Sequence, residues 1–364
     1  MLAQTVSRGR ISHAQLFAGK DGTGTLPLAI AYVQYVNCTN RTGEDSCGKC
    51  PSCHQIAELA HPDLHFVFPV NAPKGRSSTE KPVSDQFITQ WREMVKETGG
   101  YFDEQMWYAA IDIENKLGNI NKTEADEIIR KLSFKSFESP YKAVIIWHPE
   151  KMNVQAANTL LKILEEPWDK TLFLLVGEAP EKLLPTIVSR TQRIDIPAIG
   201  AEELAAYLAE KYSAGSDEAL RVARLSRGDL LEAGRNADPT ETSAELFDYF
   251  VQLMRLSYDD RHIELLEWAE TAAALGREEQ KRLMADHIRL IRDSYMLNAG
   301  MDDISYLTGK EYDFCRKFAP FVNNNNVEKL VREMEAVIRD ISQNGNAKIV
   351  FTHFALTVSK LITR

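Results

Sequence analysis

The chain has 364 residues, 44% of them hydrophobic, and a formal net charge of −9 at pH 7. This length predicts two or three domains, and the acidic balance argues against unaided binding of nucleic acid over a broad basic face. Because no stretch has the unbroken apolar length of a membrane span and the N-terminus lacks a signal-peptide core, we expect a cytoplasmic protein with no membrane partner.

The first elements along the chain are a strand, a glycine-rich turn and a helix. Leu16–Ala18 is typical of a short buried strand. Residues 26–36 are typical of a helix, and Pro27 falls in its first turn, where a proline is tolerated. This is the context in which a phosphate-binding loop occurs.

The turn itself keeps only part of such a loop. Its glycine frame is intact at Gly19, Gly22 and Gly24. Thr25 and Leu26 stand where a working loop has the lysine that neutralises phosphates and the hydroxyl residue that holds Mg²⁺. Taken alone, the segment is compatible with a weak nucleotide site, a dead site or an ordinary turn.

Four of the five cysteines fall within sixteen residues, at Cys38, Cys47, Cys50 and Cys53. This spacing predicts one tetrahedral Zn²⁺ held by four thiolates, a closed and therefore structural site, in preference to disulfides. His54 and His61 are near enough to compete as ligands, but we expect them to be ordinary surface or helix-end histidines. Cys315 is typical of a buried helical residue.

The pattern continues with alternating strands and helices. Residues 69–82 are typical of a loop, and the aromatic group at 101–108 is more typical of a core than of a binding face. Asn153 is expected to cap a helix that stops before Pro167. We predict strands at 64–68, 143–147, 171–176 and 192–196, and further helices at 84–96 and 122–132. The result would be an α/β fold with a parallel, helix-covered sheet.

From residue 201 onward the pattern is almost wholly helical. Residues 236–239 form a plausible linker, and the four asparagines at 323–326 mark a loop inside the last helical region. No internal repeat is present.

Several motifs follow one another in a characteristic order: Ser12-His13-Ala14, the glycine turn, the four cysteines, residues 158–167 and residues 183–190. In this combination they resemble bacterial clamp-loader subunits of DNA polymerase III. The resemblance covers about the first two hundred residues and implies an AAA+ P-loop-type domain at 1–197 with an inserted zinc module at about 38–53. It further implies a small helical lid domain at 198–238 and an all-α collar domain at 239–364 that joins five subunits into a ring.

The resemblance also identifies further nucleotide-handling positions. Where the family has Asp-Glu at a strand end, this chain has Trp147 and His148, and neither is a hard oxygen ligand for Mg²⁺. Glu150 is interpreted as a helix-start or loop carboxylate. Leu231 takes the place of a sensor arginine in the lid. We therefore expect a degenerate site with no stable ATP or Mg²⁺.

Ser189 and Arg190 match a family motif whose arginine reaches the ATP of a neighbouring subunit, although Thr191 replaces the motif's cysteine. An arginine finger places a planar positive charge on the transferring phosphate. Without the motif, Arg190 would more simply pair with a carboxylate at the sheet edge. Glu165 and Glu166 are interpreted as structural, because adjacent helical residues point in different directions.

The resemblance thus implies a stator, a subunit that is no enzyme on its own and supplies Arg190 in trans to help load the sliding clamp in DNA replication. The implied partners are the gamma or tau and delta subunits and, through the ring, the sliding clamp and primer-template DNA. The alternatives are an active gamma/tau-type ATPase and a zinc-stabilised nucleic-acid-binding module.

Overall fold

Five parallel strands build the sheet of the N-terminal half of the chain. The computed structural model describes residues 2–43, 45–72, 81–114, 116–136, 138–212, 215–237, 241–301, 307 and 309–362. Its two compact units are residues 1–237 and 238–364. The strands are β1 Ala14–Ala18, β2 Leu64–Val67, β3 Lys142–Trp147, β4 Thr171–Gly177 and β5 Gln192–Asp195, in the spatial order β2-β3-β4-β1-β5.

The three central strands are buried along their whole length, as expected for a parallel sheet covered on both faces. The register pairs Ala18 with Gly177 and Trp147 with Val176, so β1, β3 and β4 end at the same edge. All five predicted strands are confirmed, although β2 and β5 each end one residue earlier than predicted.

Helices cover both faces of this sheet. Leu26 and Ala29 of the second helix pack on one face, and Ile128 and Leu160 of the sixth and seventh pack on the other. Asn153 caps the seventh helix by accepting a hydrogen bond from the Ala156 N–H at 2.8 Å, as predicted. The helices are α1 Leu2–Ser7, α2 Thr25–Asn37, α3 Pro51–Ala57, α4 Ile88–Thr98, α5 Glu104–Ala110, α6 Lys122–Ser133, α7 Val154–Glu165 and α8 Pro185–Val188.

The segment between β2 and β3 contributes an aromatic cluster to the core. The predicted helix at 84–96 begins as a 3-10 turn, Ser84–Phe87, and continues as α4. The indole of Trp91 on α4 stacks on Phe68 with ring centroids 4.2 Å apart, and it lies 5.3 Å from the indole of Trp147. Phe102 lies 5.1 Å from Trp147 and is fully buried, so the prediction that the aromatic group belongs to the core is confirmed.

Three helices complete the first unit, namely α9 Ala201–Tyr212, α10 Ser216–Leu225 and α11 Leu230–Ala237. They share a small core that includes Leu204, Leu208 and Val222. The domain boundaries at 197/198 and 238/239 stay predictions.

The second unit is helical throughout its described residues. Cys315 is fully buried in its core, as predicted, and the asparagine run forms a turn before the next helix. Its helices are α12 Glu241–Tyr258, α13 His262–Ala274, α14 Arg277–Asn298, α15 Gly309–Phe318, α16 Val327–Ser342 and α17 Ala347–Leu361. Among the helices that the structure describes, none combines the length and apolar character needed to cross a membrane.

Candidate functional site in an altered phosphate loop

The glycine turn joins β1 to α2 at the edge where the central strands end. Its residues form a 3-10 turn, Asp21–Thr23, and Gly24 adopts a left-handed conformation with φ +85° directly before α2. A phosphate-binding loop also lies at such a strand end and leads into a helix N-terminus. The backbone frame predicted from the glycines is therefore present.

The two positions after the last glycine are both buried. Thr25 is completely buried, and Leu26 is a member of the core on one face of the sheet. The Thr25 methyl group lies 2.9 Å from the position of a Cβ built on Gly19. A lysine at position 25 would therefore start from a packed site and would need its neighbours to move before its ammonium could reach a phosphate.

The loop also directs a backbone amide at a carboxylate of the chain itself. The Asp21 N–H donates to Glu178 Oε1 at 2.8 Å, and Glu178 directly follows β4. Phosphate loops use such backbone N–H groups to bind phosphate oxygens. An internal carboxylate thus takes the hydrogen bond that a phosphate would otherwise accept.

The Asp21 side chain turns inward and meets the residues at the end of β3. It accepts hydrogen bonds from Trp147 Nε1 and from His148 Nε2, each at 3.0 Å. The other ring nitrogen, His148 Nδ1, lies 3.0 Å from Glu150 Oε1. The imidazole therefore bridges two buried carboxylates at the place where the resemblance implies a metal-binding acid. Glu150 lies within the 3-10 turn Pro149–Lys151, in keeping with a helix-start or loop carboxylate, and its side chain is buried and paired with His148.

These contacts set the charges of the cluster. Burial disfavours the imidazolium form of His148, but Asp21 and Glu150 outweigh it and raise the pKa of His148 to about 10. Burial alone would raise the pKa of the Glu150 carboxyl, but the hydrogen bond from His148 holds it below the usual value. His148 is therefore a buried cation at neutral pH.

The loop is covered from the other side by the start of α11. Asp229 accepts hydrogen bonds from the N–H groups of Leu231 and Glu232 at 3.0 and 3.1 Å and so caps α11. A Cβ built on Gly22 would overlap the same Asp229 carboxylate. Lys20 adds an ion pair to Asp229 at 3.8 Å. Position 231, where the resemblance implies a sensor arginine, thus contributes a backbone N–H to the cap.

Arg190 lies away from the altered loop. It lies two residues before β5, whose Gln192 pairs with Gln15 near the start of β1, whereas Gly19 follows the end of β1. The four residue steps from Gln15 to Gly19 correspond to roughly 13 Å along the strand. Arg190 therefore lies at the opposite sheet edge from the loop of its own chain.

The Arg190 guanidinium is held by nearby acceptors. Its Nε donates to Glu165 Oε1 at 2.6 Å, its Nη2 contacts the same oxygen, and its Nη1 donates to the Thr186 carbonyl at 2.9 Å. Ser189 lies beside it, with its Oγ 3.3 Å from Nη1. Together with His13 and Leu164, the side chains of Glu165, Ser189 and Arg190 line a surface hollow of about 430 Å³. The carboxylate pairing considered at the sequence level is thus present in the isolated chain.

The four clustered cysteines converge on one point, since their Sγ atoms all lie within 4.8 Å of one another. Zn–S bonds of about 2.3 Å give tetrahedral S···S edges of about 3.8 Å, close to the 4.0 Å between Cys47 and Cys53. The Cys50 N–H points at Cys47 Sγ at 3.3 Å, a contact that favours a thiolate. Gly48, with φ +65°, allows the tight turn between these two cysteines. The donor set fits a structural zinc ion.

The nearby histidines lie outside this arrangement. His61 Nδ1 accepts a hydrogen bond from the Asp63 N–H at 3.0 Å, and its Nε2 lies 2.7 Å from Ser139 Oγ. His54 is exposed on α3 and is not part of the cluster. Neither competes with the thiolates.

Sequence reasoning missed three members of the loop site: Asp21, Glu178 and Asp229. The signal for Asp21 is present in the sequence, since it stands between Gly19 and Gly22 and an acid at that position of a phosphate loop would repel phosphate. Glu178 could be anticipated only from the sheet register, because it is 157 residues away from Asp21. Tyr101, whose Oη lies 2.9 Å from a Cβ built on Gly24, was assigned to the core but also covers the loop.

The fold and site define a class of protein: a parallel α/β domain with a phosphate-loop frame whose binding positions are filled by its own side chains. The family model described as "DNA polymerase III, delta subunit" matches residues 1–200, and the chain belongs to this family.

Two curated relatives with similar sequences are DNA polymerase III subunits named delta prime. The subunit of Bacillus subtilis (strain 168) is 28% identical over 69% of this chain and 62% of its own length. That of Pseudomonas aeruginosa is 30% identical over 64% of this chain and 58% of its own length. The chain thus spans about three fifths of the length of these two relatives.

A solved structure, a DNA polymerase III gamma subunit-related protein of Thermotoga maritima, is 16% identical, with a TM-score of 0.42 over 99% of this chain and 98% of that one.

Proposed function

We propose that the chain is a delta prime-type stator of a DNA polymerase III clamp loader, a subunit that does not hydrolyse ATP and acts on a neighbour. Its implied partners are gamma or tau and delta subunits in a five-subunit ring, with the sliding clamp and primer-template DNA reached through the ring. The membership in the DNA polymerase III delta subunit family supports this assignment.

The proposal that the chain does not hydrolyse ATP rests on the hydrogen bond from the Asp21 N–H to Glu178 Oε1. A nucleotide would have to displace Glu178, approach the Asp21 carboxylate and move Asp229 away from Gly22. Glu178 holds a backbone N–H that a phosphate would need, and no lysine at position 25 is present to neutralise the phosphates.

The test is ATP binding and hydrolysis by the purified chain, with a gamma or tau subunit measured in parallel. We expect no saturable binding of a fluorescent ATP analogue and no turnover above background. Hydrolysis at a rate comparable to that of gamma or tau would instead establish the rival reading, an active ATPase of the same fold. Tight, salt-sensitive binding of DNA by the chain alone would favour a nucleic-acid-binding module.

For Arg190 we propose the role of an arginine finger in trans, with Ser189 beside it. Its position at the opposite sheet edge from its own loop suits action on a different subunit. Its ion pair with Glu165 is half-exposed, and such pairs contribute only about 0–1 kcal/mol. Arg190 can therefore exchange Glu165 for a phosphate at little cost.

A reconstituted clamp loader tests this role through DNA-stimulated ATP hydrolysis. Arg190→Ala should lower turnover at least tenfold without changing assembly, and Arg190→Lys should restore it only in part, because lysine lacks the planar, bidentate guanidinium. Arg193→Ala is the matched control, since Arg193 is an exposed arginine of β5 paired with Asp195. Unchanged turnover in Arg190→Ala would remove this residue from the mechanism.

We also propose that the four-cysteine cluster holds one structural zinc ion. Four thiolate ligands fill a tetrahedral shell and leave no position for a reacting water. The ion would then fix the chain between α2 and α3, a connection that holds few apolar side chains.

A further inference from the structure

The second unit carries a surface hollow that the proposed function does not use. It lies between the end of α12 and the segment from α15 to Phe321, and its volume is about 270 Å³. The side chains that line it are Met254, Arg255, Tyr258, Asp259, Phe314, Lys317, Phe318 and Phe321.

Aromatic rings form the floor and walls of this hollow. Phe318 is buried at its base and stacks on Phe314 with ring centroids 5.8 Å apart. Tyr258 and Phe321 meet edge to face at 5.0 Å. Because these rings hold one another in place, the apolar surface is already formed and needs no opening before a partner binds.

Two cations stand at the rim. Arg255 and Lys317 are both exposed, and neither forms an ion pair with a carboxylate in the part of the chain that the structure describes. The Arg255 guanidinium lies 5.8 Å from the centroid of Phe314, over the aromatic wall. Asp259 is the single acid among the lining residues, so the rim is positive on a chain whose formal net charge is −9.

The size of the hollow limits what can occupy it. Small-molecule sites have volumes of roughly 300–1,000 Å³, so 270 Å³ suits one or two side chains better than a whole organic ligand. Aromatic residues and arginine are also the residue types that dominate binding energy at protein interfaces. Two cations against one acid give the rim a net positive charge, which favours a partner of opposite charge.

We propose that this hollow binds an acidic peptide segment of a partner protein. The segment inserts one large apolar side chain between Phe314 and Phe321 and places aspartate or glutamate carboxylates against Arg255 and Lys317. The site belongs to the second unit alone and does not depend on the state of the phosphate loop.

The experiment pans a phage-displayed library of random 16-residue peptides against the full chain. Enriched peptides are synthesised and titrated by fluorescence anisotropy. We expect enrichment of sequences with an aromatic residue or leucine close to aspartate or glutamate, and at least a tenfold loss of affinity for the double variant Arg255→Glu, Lys317→Glu. Phe321→Ala should weaken binding to a similar extent.

Lys329→Glu is the control, because Lys329 is an exposed lysine of α16 outside the hollow; it should leave affinity unchanged. Circular dichroism verifies that each variant is folded. The proposal fails if no enriched peptide loses affinity for the double variant, or if the enriched peptides are basic. It also fails if the double variant abolishes self-association in sedimentation velocity or binding of a single-stranded oligonucleotide, because the occupant is then a second copy or a nucleic acid.

Discussion

The carboxylate of Asp229 occupies the space that a side chain on Gly22 would need. The same carboxylate caps α11, so one acid both begins this helix and packs against the loop. In a nucleotide-binding protein of this class the space above the loop is occupied by phosphates. Here α11 and the loop are in direct contact within the first unit.

This contact predicts that Gly22→Ala is destabilising. The added methyl group must displace Asp229, which weakens the cap of α11 and overpacks the loop, at a cost of about 1–3 kcal/mol. Urea unfolding of the variant measures the loss. Gly215→Ala is the control, because a Cβ on Gly215 meets open space and its φ of −60° suits alanine. Equal stability of the two variants would contradict the contact.

The buried imidazolium of His148 predicts a loss of stability in alkali. Its pKa rises from an ordinary 6.5 to about 10 on folding, so its contribution is complete below about pH 6.5 and disappears as the pH rises toward 10. The expected slope is about 1.4 kcal/mol per pH unit within that window.

His148→Gln removes the cation and leaves two facing carboxylates, which should cost about 3–5 kcal/mol at pH 7. The variant should also lose the steep decline of the urea midpoint between pH 7 and 9.5. His353→Gln, at an exposed histidine of α17, should change neither value. A variant that keeps the wild-type decline would show that His148 is not the titrating group.

The cysteine cluster predicts one zinc per chain by elemental analysis of protein prepared under reducing conditions. Cys50→Ser should lose the metal and lower the thermal midpoint, because the metal-binding free energy contributes to folding. Cys315→Ser is the matched control, since Cys315 lies in the core of the other unit, and it should keep its zinc even if it is less stable. Wild-type protein without metal would refute the site.

Because His287 is buried, we expect the second unit to lose stability in acid. Burial lowers its pKa to about 3, and its ring packs between Phe250 and Trp268 with centroids 5.1 and 6.3 Å away. A histidine buried in the neutral form contributes stability above about pH 6.5, and that stability declines as the pH falls toward 3. His287→Phe should reduce the dependence of the urea midpoint on pH between 6.5 and 4, and an unchanged dependence would exclude this histidine as the cause.

Restoring the two missing residue types of the phosphate loop should not restore ATP hydrolysis. Thr25→Lys combined with Leu26→Thr restores the residue types of a working loop, but it buries an ammonium at a site with no exposed surface and removes a core leucine. We expect a loss of at least about 3 kcal/mol in the free energy of unfolding and no ATP turnover. Turnover in this variant would mean that the carboxylates around the loop do not block nucleotide.

The sequence predicted the sheet, the positions of most helices and the cysteine cluster because each is encoded locally. Apolar runs mark β3 and β4, Asn153 marks the start of α7, and spacing alone groups the cysteines. For the altered loop, the sequence predicts which residues are missing but not which side chains take their place. Thr25 and His148 were recognised as departures, but the carboxylates that fill the loop come from the end of β4 and the start of α11, and only the folded register brings them together.

Trp147 stands at the end of β3, where the resemblance implies an acid. Its indole is fully buried and closes the aromatic cluster with Trp91 and Phe102, so the whole segment between β2 and β3 is anchored on it. An aspartate there would leave a large cavity and an unpaired carboxylate in the core, at a cost of about 3–5 kcal/mol or more. The stability of the domain therefore opposes any exchange of Trp147 for an acidic residue.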